Sequence, residues 1–163
     1  MDALELLVED HADLAERFRR LAWASNPAAR REQVAELIRA LDAHLTCEEH
    51  LLYASVAHRL GVSLTTEARR TACAVEAILH RLASLHPRDP AFAAVAAGLH
   101  ARFLDLIDSE DEELFPAVAD RIAPDELAEI GALMEPRLDA AREDAPYEAG
   151  QTIAETLPSS WTA

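Results

Sequence analysis

The sequence predicts an all-α protein: an up-down-up-down four-helix bundle with an extra helical segment at its C-terminal end. Three observations predict it. Apolar residues recur three and four positions apart over several long stretches, the spacing of one buried helix face. Ala, Leu, Glu and Arg dominate a chain that is 50% hydrophobic and has only 4 Gly in 163 residues. Ala, Leu, Glu and Arg are strong helix formers and Gly is not. Finally, the periodic stretches are punctuated by Asn26-Pro27, Gly61, His86-Pro87 and Asp89-Pro90. The short loops these leave make successive helices antiparallel. A chain of this length makes one domain with a real core.

Asp2 is placed to cap a first helix reaching about Trp23, with the stripe Leu4, Leu7, His11, Leu14, Phe18, Leu21. Asn26-Pro27 reads as N-cap and first helical position of a second helix that runs towards Leu60, where Gly61 is a natural C′ residue. At ~1.5 Å per residue that helix is roughly 50 Å long, so a kink or a later start is expected. Residues 63–66 offer caps for a third helix with the stripe Ala72, Val75, Ile78, Leu79, Leu82, Leu85. Asp89-Pro90 opens a fourth, carrying Phe92, Val95, Leu99, Phe103, Leu106, Glu110 and Leu114; it closes at Leu114-Phe115-Pro116, with room for a further turn to Ile122. Pro124 opens a fifth amphipathic segment, Leu127, Ile130, Leu133, Met134, which Pro136 is expected to bend or split. From Pro146 the Ser-, Thr-, Pro- and Gly-rich tail reads as irregular, with Tyr147, Ile153, Leu157 and Trp161 along the bundle. The expected organisation is a bundle over residues 1–122, an added helix over 123–145 and a tail over 146–163.

The formal net charge is −15 and no lysine is present. An acidic chain repels phosphate backbones and anionic lipid, so nucleic acid and membrane surfaces are poor partners. No stretch approaches ~18 unbroken apolar residues, and no basic region followed by an apolar run marks a secretory signal. Cys47 and Cys73 make no disulfide framework, which points to a reduced, cytoplasmic protein. They are expected as two inert buried thiols rather than a redox pair. The absence of lysine points to a GC-rich, bacterial genome. No nucleophile triad, phosphate loop or zinc knuckle is present.

The second helix carries the chemistry. Its stripe Val34, Leu37, Leu41, then Leu51, Leu52, Val56 is interrupted by His44 and Glu48. Residues four apart lie one above the other on a helix, so both point into the core. A buried carboxylate costs several kcal/mol unless compensated. His11 interrupts the first stripe and Glu110 the fourth. Each alone has an ordinary reading as a hydrogen-bonded core residue. Together, two histidines and two carboxylates from three helices at mid-height suit iron, manganese or zinc. His50 and His58 lie off the stripe and read as solvated, and so does His80. His86 falls in a loop. His100 lies ~15 Å along the helix from Glu110, too far for the same site.

In these residues the chain resembles the hemerythrin-like, or HHE cation-binding, domains over roughly residues 3–122. The resemblance lies in Asp10-His11, in His44-x-x-x-Glu48-Glu49-x-x-Leu52-Tyr53 and in Glu110-Asp111-x-x-Leu114-Phe115-Pro116. It implies a four-helix bundle with a non-haem di-iron centre, His11 and His44 on one iron, and Glu48 and Glu110 bridging. The second iron of such centres takes histidines from the third and fourth helices. Here Ala72, or Cys73 after a one-residue slip, and Leu106 occupy those positions. Three outcomes stay open: one ion held by His11, His44, Glu48 and Glu110; a second ion that uses Glu76 or Cys73; or no metal, with His and Glu satisfying one another. The expected function is a non-haem iron protein handling oxygen, nitric oxide or peroxide, or sensing iron or oxygen. The alternative is a metal-free family member that binds a small ligand or another protein.

Overall fold

The computed structural model describes residues 1–143, so the reading of the tail from Pro146 lies outside the described residues. Five helices follow in order: α1, Ala3–Trp23; α2, residues 27–60; α3, Val62–Ser84; α4, residues 92–119; and α5, Pro124–Arg142. No strand occurs among the described residues. The first four close a bundle in which α1 touches α2 and α4, and α3 touches α2 and α4. α5 packs across α1 and α2.

The caps explain the starts. Asp2 accepts from the N–H groups of Leu4 and Glu5, and the Glu5 side chain returns to the Asp2 N–H at 3.0 Å, a capping box. Asn26 accepts from the Ala29 N–H at 2.9 Å, with Pro27 in the first helical position. One residue, Gly61, turns the chain from α2 into α3. Its φ of +88° lies where only glycine is at ease. Because Gly61 makes the whole turn, α3 begins at Val62, and residues 63–66 lie inside it instead of capping it. Asp89 and Pro90 likewise sit in a turn ahead of α4: Asp89 Oδ1 accepts from the Ala91 N–H at 2.8 Å and the helix starts at Phe92. The chain makes one more turn after α4, where the Ile122 N–H reaches the Val118 carbonyl at 2.9 Å.

Two expectations for α5 are corrected. The helix runs unbroken past Pro136 to Arg142. Its inward face is Leu127, Ile130, Met134, Leu138 and Ala141, while Leu133 is 65% exposed. Those inward residues are spaced three and four apart, so Leu133 falls beside the stripe. Gly131 is what lets α5 lie this close to α1. A Cβ there would come within 2.9 Å of backbone atoms of Met1, Asp2 and Ala3.

Two departures from α geometry lie within the long helices. Glu48–Tyr53 in α2 and Glu110–Leu114 in α4 are π turns. A π turn bonds i to i+5, so it inserts about one extra residue and rotates everything beyond it. The rotation shows in α2, where Tyr53 is buried and Leu51 is only half-buried.

The apolar core has two parts. One gathers Leu14, Phe18, Leu37, Leu41, Leu79, Leu82, Leu99, Phe103 and Leu106. The other gathers Leu6, Leu7, Leu52, Tyr53, Val56, Phe115, Val118, Met134 and Leu138. Burying each such side chain stabilises the fold by about 1.5–3 kcal/mol. Along α1 the change from one part to the other falls between Leu7 and Leu14, at His11; along α4 it falls between Leu106 and Leu114, at Glu110. A polar layer therefore divides the core at mid-height.

Candidate metal centre

That polar layer is made of His11 on α1, His44 and Glu48 on α2, and Glu110 on α4. Each offers a nitrogen or oxygen atom, and these atoms all lie within 4.8 Å of one another. Their exposures are 4%, 0%, 1% and 0%. His11 Nε2 lies 3.1 Å from Glu110 Oε2, and His44 Nε2 lies 3.7 Å from Glu48 Oε1. Both π turns begin at a carboxylate of this group, Glu48 and Glu110.

Proximity has not produced satisfaction. Both nitrogens of His11, Nε2 of His44, both oxygens of Glu48 and Oε2 of Glu110 have no hydrogen-bond partner among the described residues. Buried polar atoms are normally paired, and each that is not costs about 1–3 kcal/mol. Two neutral imidazoles and two carboxylates offer lone pairs and two negative charges, the complement of a divalent cation. Burial, and after it the Glu110 carboxylate, holds the Glu48 carboxyl well above its ordinary range. The chemistry of the set thus fits a metal ion.

A second layer surrounds these four, and most of it was not identified from the sequence. Tyr53 donates from its hydroxyl to Glu110 Oε1 at 3.2 Å. Burial, then the Glu48 and Glu110 charges, push its phenol well above the ordinary value. The Asp10 carboxylate accepts from His44 Nδ1 at 3.0 Å and meets Arg142 Nη2 at 3.3 Å. Phe115 stacks on His11, with centroids 5.7 Å apart and planes 9° apart. Phe103 meets the same ring edge-on at 6.3 Å.

Ala72 and Leu106, where the resemblance implies histidines, are 2% and 0% exposed and belong to the apolar core. Glu76 is buried but lies outside the group of four. Cys73 is exposed, against the expectation of two buried thiols; it falls beside the α3 stripe that carries Ala72 inward. Cys47 is buried, and desolvation raises its thiol to about 12, which disfavours the reactive thiolate. His50 and His58 are exposed, as read from the sequence, and so is His86 in its loop. His80 is half-buried. His100 stacks on Phe18 at 4.8 Å and is not one of the four.

A buried histidine and carboxylate cluster in the core of a helical bundle is the kind of site in which such bundles hold metal ions. The hemerythrin HHE cation-binding domain profile matches residues 2–118, and the chain belongs to that family. The crystal structure of a hemerythrin HHE cation-binding domain-containing protein from Mycobacterium kansasii is similar to it, with a TM-score of 0.79 and 22% sequence identity. The match covers 96% of this chain and 98% of that one. At that identity the likeness shows the fold. No curated protein matches the chain. No helix among the described residues is long and apolar enough to cross a membrane.

Proposed function

We propose that the chain holds one iron ion through His11, His44, Glu48 and Glu110 and there handles oxygen, nitric oxide or peroxide. One observation carries this reading: buried lone pairs on four side chains converge without partners. Imidazole and carboxylate donors in this ratio suit iron(II) and leave coordination positions open. Bound iron supplies a place for a diatomic gas or peroxide to bind. The chain's own residues do the rest. Leu7, Leu14, Leu41, Phe103 and Leu106 are all fully buried and keep water out. Tyr53 occupies Glu110 Oε1 with a hydrogen bond and leaves Oε2 for the ion. The net charge of −15 gives polyanions no attraction, which favours a small molecule as the partner.

One ion is favoured over two because Ala72 and Leu106 bring no donor atom. The same two residues support a second reading, a metal-free member of the family that binds a small ligand or another protein. Anaerobic reconstitution with Fe(II), followed by metal analysis, separates the two. One ion per chain is expected, falling towards none in His44→Ala. Unchanged stoichiometry in that variant refutes the ligand assignment. Melting temperatures that do not respond to Fe(II) or to chelator favour the metal-free reading.

A further inference from the structure

The two imidazoles of the centre are held differently. His11 Nδ1 lies 3.5 Å from the half-exposed Asp111 and has no hydrogen-bond partner among the described residues. His44 Nδ1 lies 3.0 Å from Asp10 Oδ2, and both residues are buried. The other Asp10 oxygen is met by Arg142 Nη2 at 3.3 Å. A carboxylate accepts and an imidazole N–H donates, so this contact puts the His44 proton on Nδ1. The lone pair is then on Nε2, the atom that faces Glu48.

We propose that Asp10 and Arg142 are a positioning pair for His44. Arg142 holds the Asp10 carboxylate in place, and Asp10 fixes both the tilt of the His44 ring and the nitrogen that carries its lone pair. Partners of this kind typically matter about 10–100-fold in metal affinity. The inference rests on the ligand assignment above and extends it to α5. Arg142 lies beyond residues 2–118, so the matched family segment does not contain it. The fifth helix thus acts as an outer wall of the centre as well as packing on the bundle.

α5 supplies its own control. Arg137 Nη2 meets Asp42 of α2 at 3.7 Å, an ion pair that ties the same helix to the bundle without touching the centre. The experiment measures Fe(II) affinity by anaerobic competition with a chromophoric chelator, and the His44 nitrogen shifts of metal-free protein by ¹⁵N NMR. Asp10→Asn should lose about 10–100-fold in affinity, because an amide presents a donor as well as an acceptor to Nδ1. Arg142→Gln should lose several-fold, Arg142→Lys should recover most of it, and Arg137→Gln should leave affinity and shifts unchanged. Equal losses in Arg142→Gln and Arg137→Gln overturn the proposal, since helix docking alone then accounts for them. Metal-free wild-type protein with its His44 proton on Nε2 overturns it as well. A wild-type chain that takes up no Fe(II) overturns the ligand assignment; the shifts of the metal-free variants then decide the positioning pair on their own.

Discussion

Four buried polar side chains that converge with atoms unpartnered among the described residues strain the fold, and Glu48→Gln measures that strain. Glu48 and Glu110 are 1% and 0% exposed, with ligand atoms no more than 4.8 Å apart. Two unit charges at 4.8 Å repel by about 3.5 kcal/mol at an effective dielectric constant of roughly 20. Uptake of a proton would relieve this repulsion, and burial together with the Glu110 charge holds the Glu48 carboxyl well above its ordinary range. A carboxyl raised on folding destabilises the folded state at pH values above its ordinary range. Glutamine has nearly the same shape and removes the charge, although its amide stays poorly paired. The metal-free variant should therefore be more stable than metal-free wild type by about 2 kcal/mol, or roughly 4–8 °C in Tm for a chain of this size. Adding Fe(II) should reverse the order. A ligand at one hundred times its Kd stabilises the folded state by about 2.7 kcal/mol, and the variant should forgo most of that gain. Urea and thermal unfolding, with chelator and with Fe(II), read both effects. A metal-free Glu48→Gln protein less stable than wild type, or one that keeps the full Fe(II)-induced shift, would show that these four residues do not form a cation site.

Three further outcomes follow from other parts of the fold. In an open helix Gly131→Ala would gain about 1 kcal/mol; here the new Cβ meets α1 backbone at 2.9 Å, so urea unfolding should show a loss of about 1–3 kcal/mol. Burial, then the Asp42 and Glu49 charges, raise Glu76 from an ordinary 4.5 to about 7. A carboxyl raised on folding favours the folded state in its protonated form, so it carries no penalty below pH 4.5 and destabilises progressively as pH rises to about 7. Glu76→Gln should match wild type near pH 4.5 and exceed it by about 1–2 kcal/mol at pH 8, after allowance for solvent screening. A pH-independent difference would contradict this cause. Thiol titration of the native chain should modify Cys73 alone, with Cys47 reacting only in denaturant; rapid reaction of Cys47 would show that its pocket opens.

The sequence by itself determined the helices and the four inward polar residues. His11, His44, Glu48 and Glu110 interrupt apolar stripes whose three- and four-residue spacing follows from the geometry of a single α-helix, so each is visible without knowledge of any neighbour. The cap residues Asp2 and Asn26 were legible for the same local reason. Tyr53 was not. In an α-helix the fifth residue after Glu48 points about 140° away, and only the π turn beginning at Glu48 brings that phenol round to Glu110. Phe115, five residues after Glu110, reaches the His11 ring by the same device. Asp10 and Arg142 stand 132 residues apart, and no periodicity connects them. Their meeting depends on how α5 docks on α1, which is set by Gly131 against the first residues of the chain and by the buried face from Leu127 to Ala141. Helix faces are a property of local chain geometry. The rotation of one helix against another is a property of packing, and it decided everything around the four inward polar residues except those residues themselves.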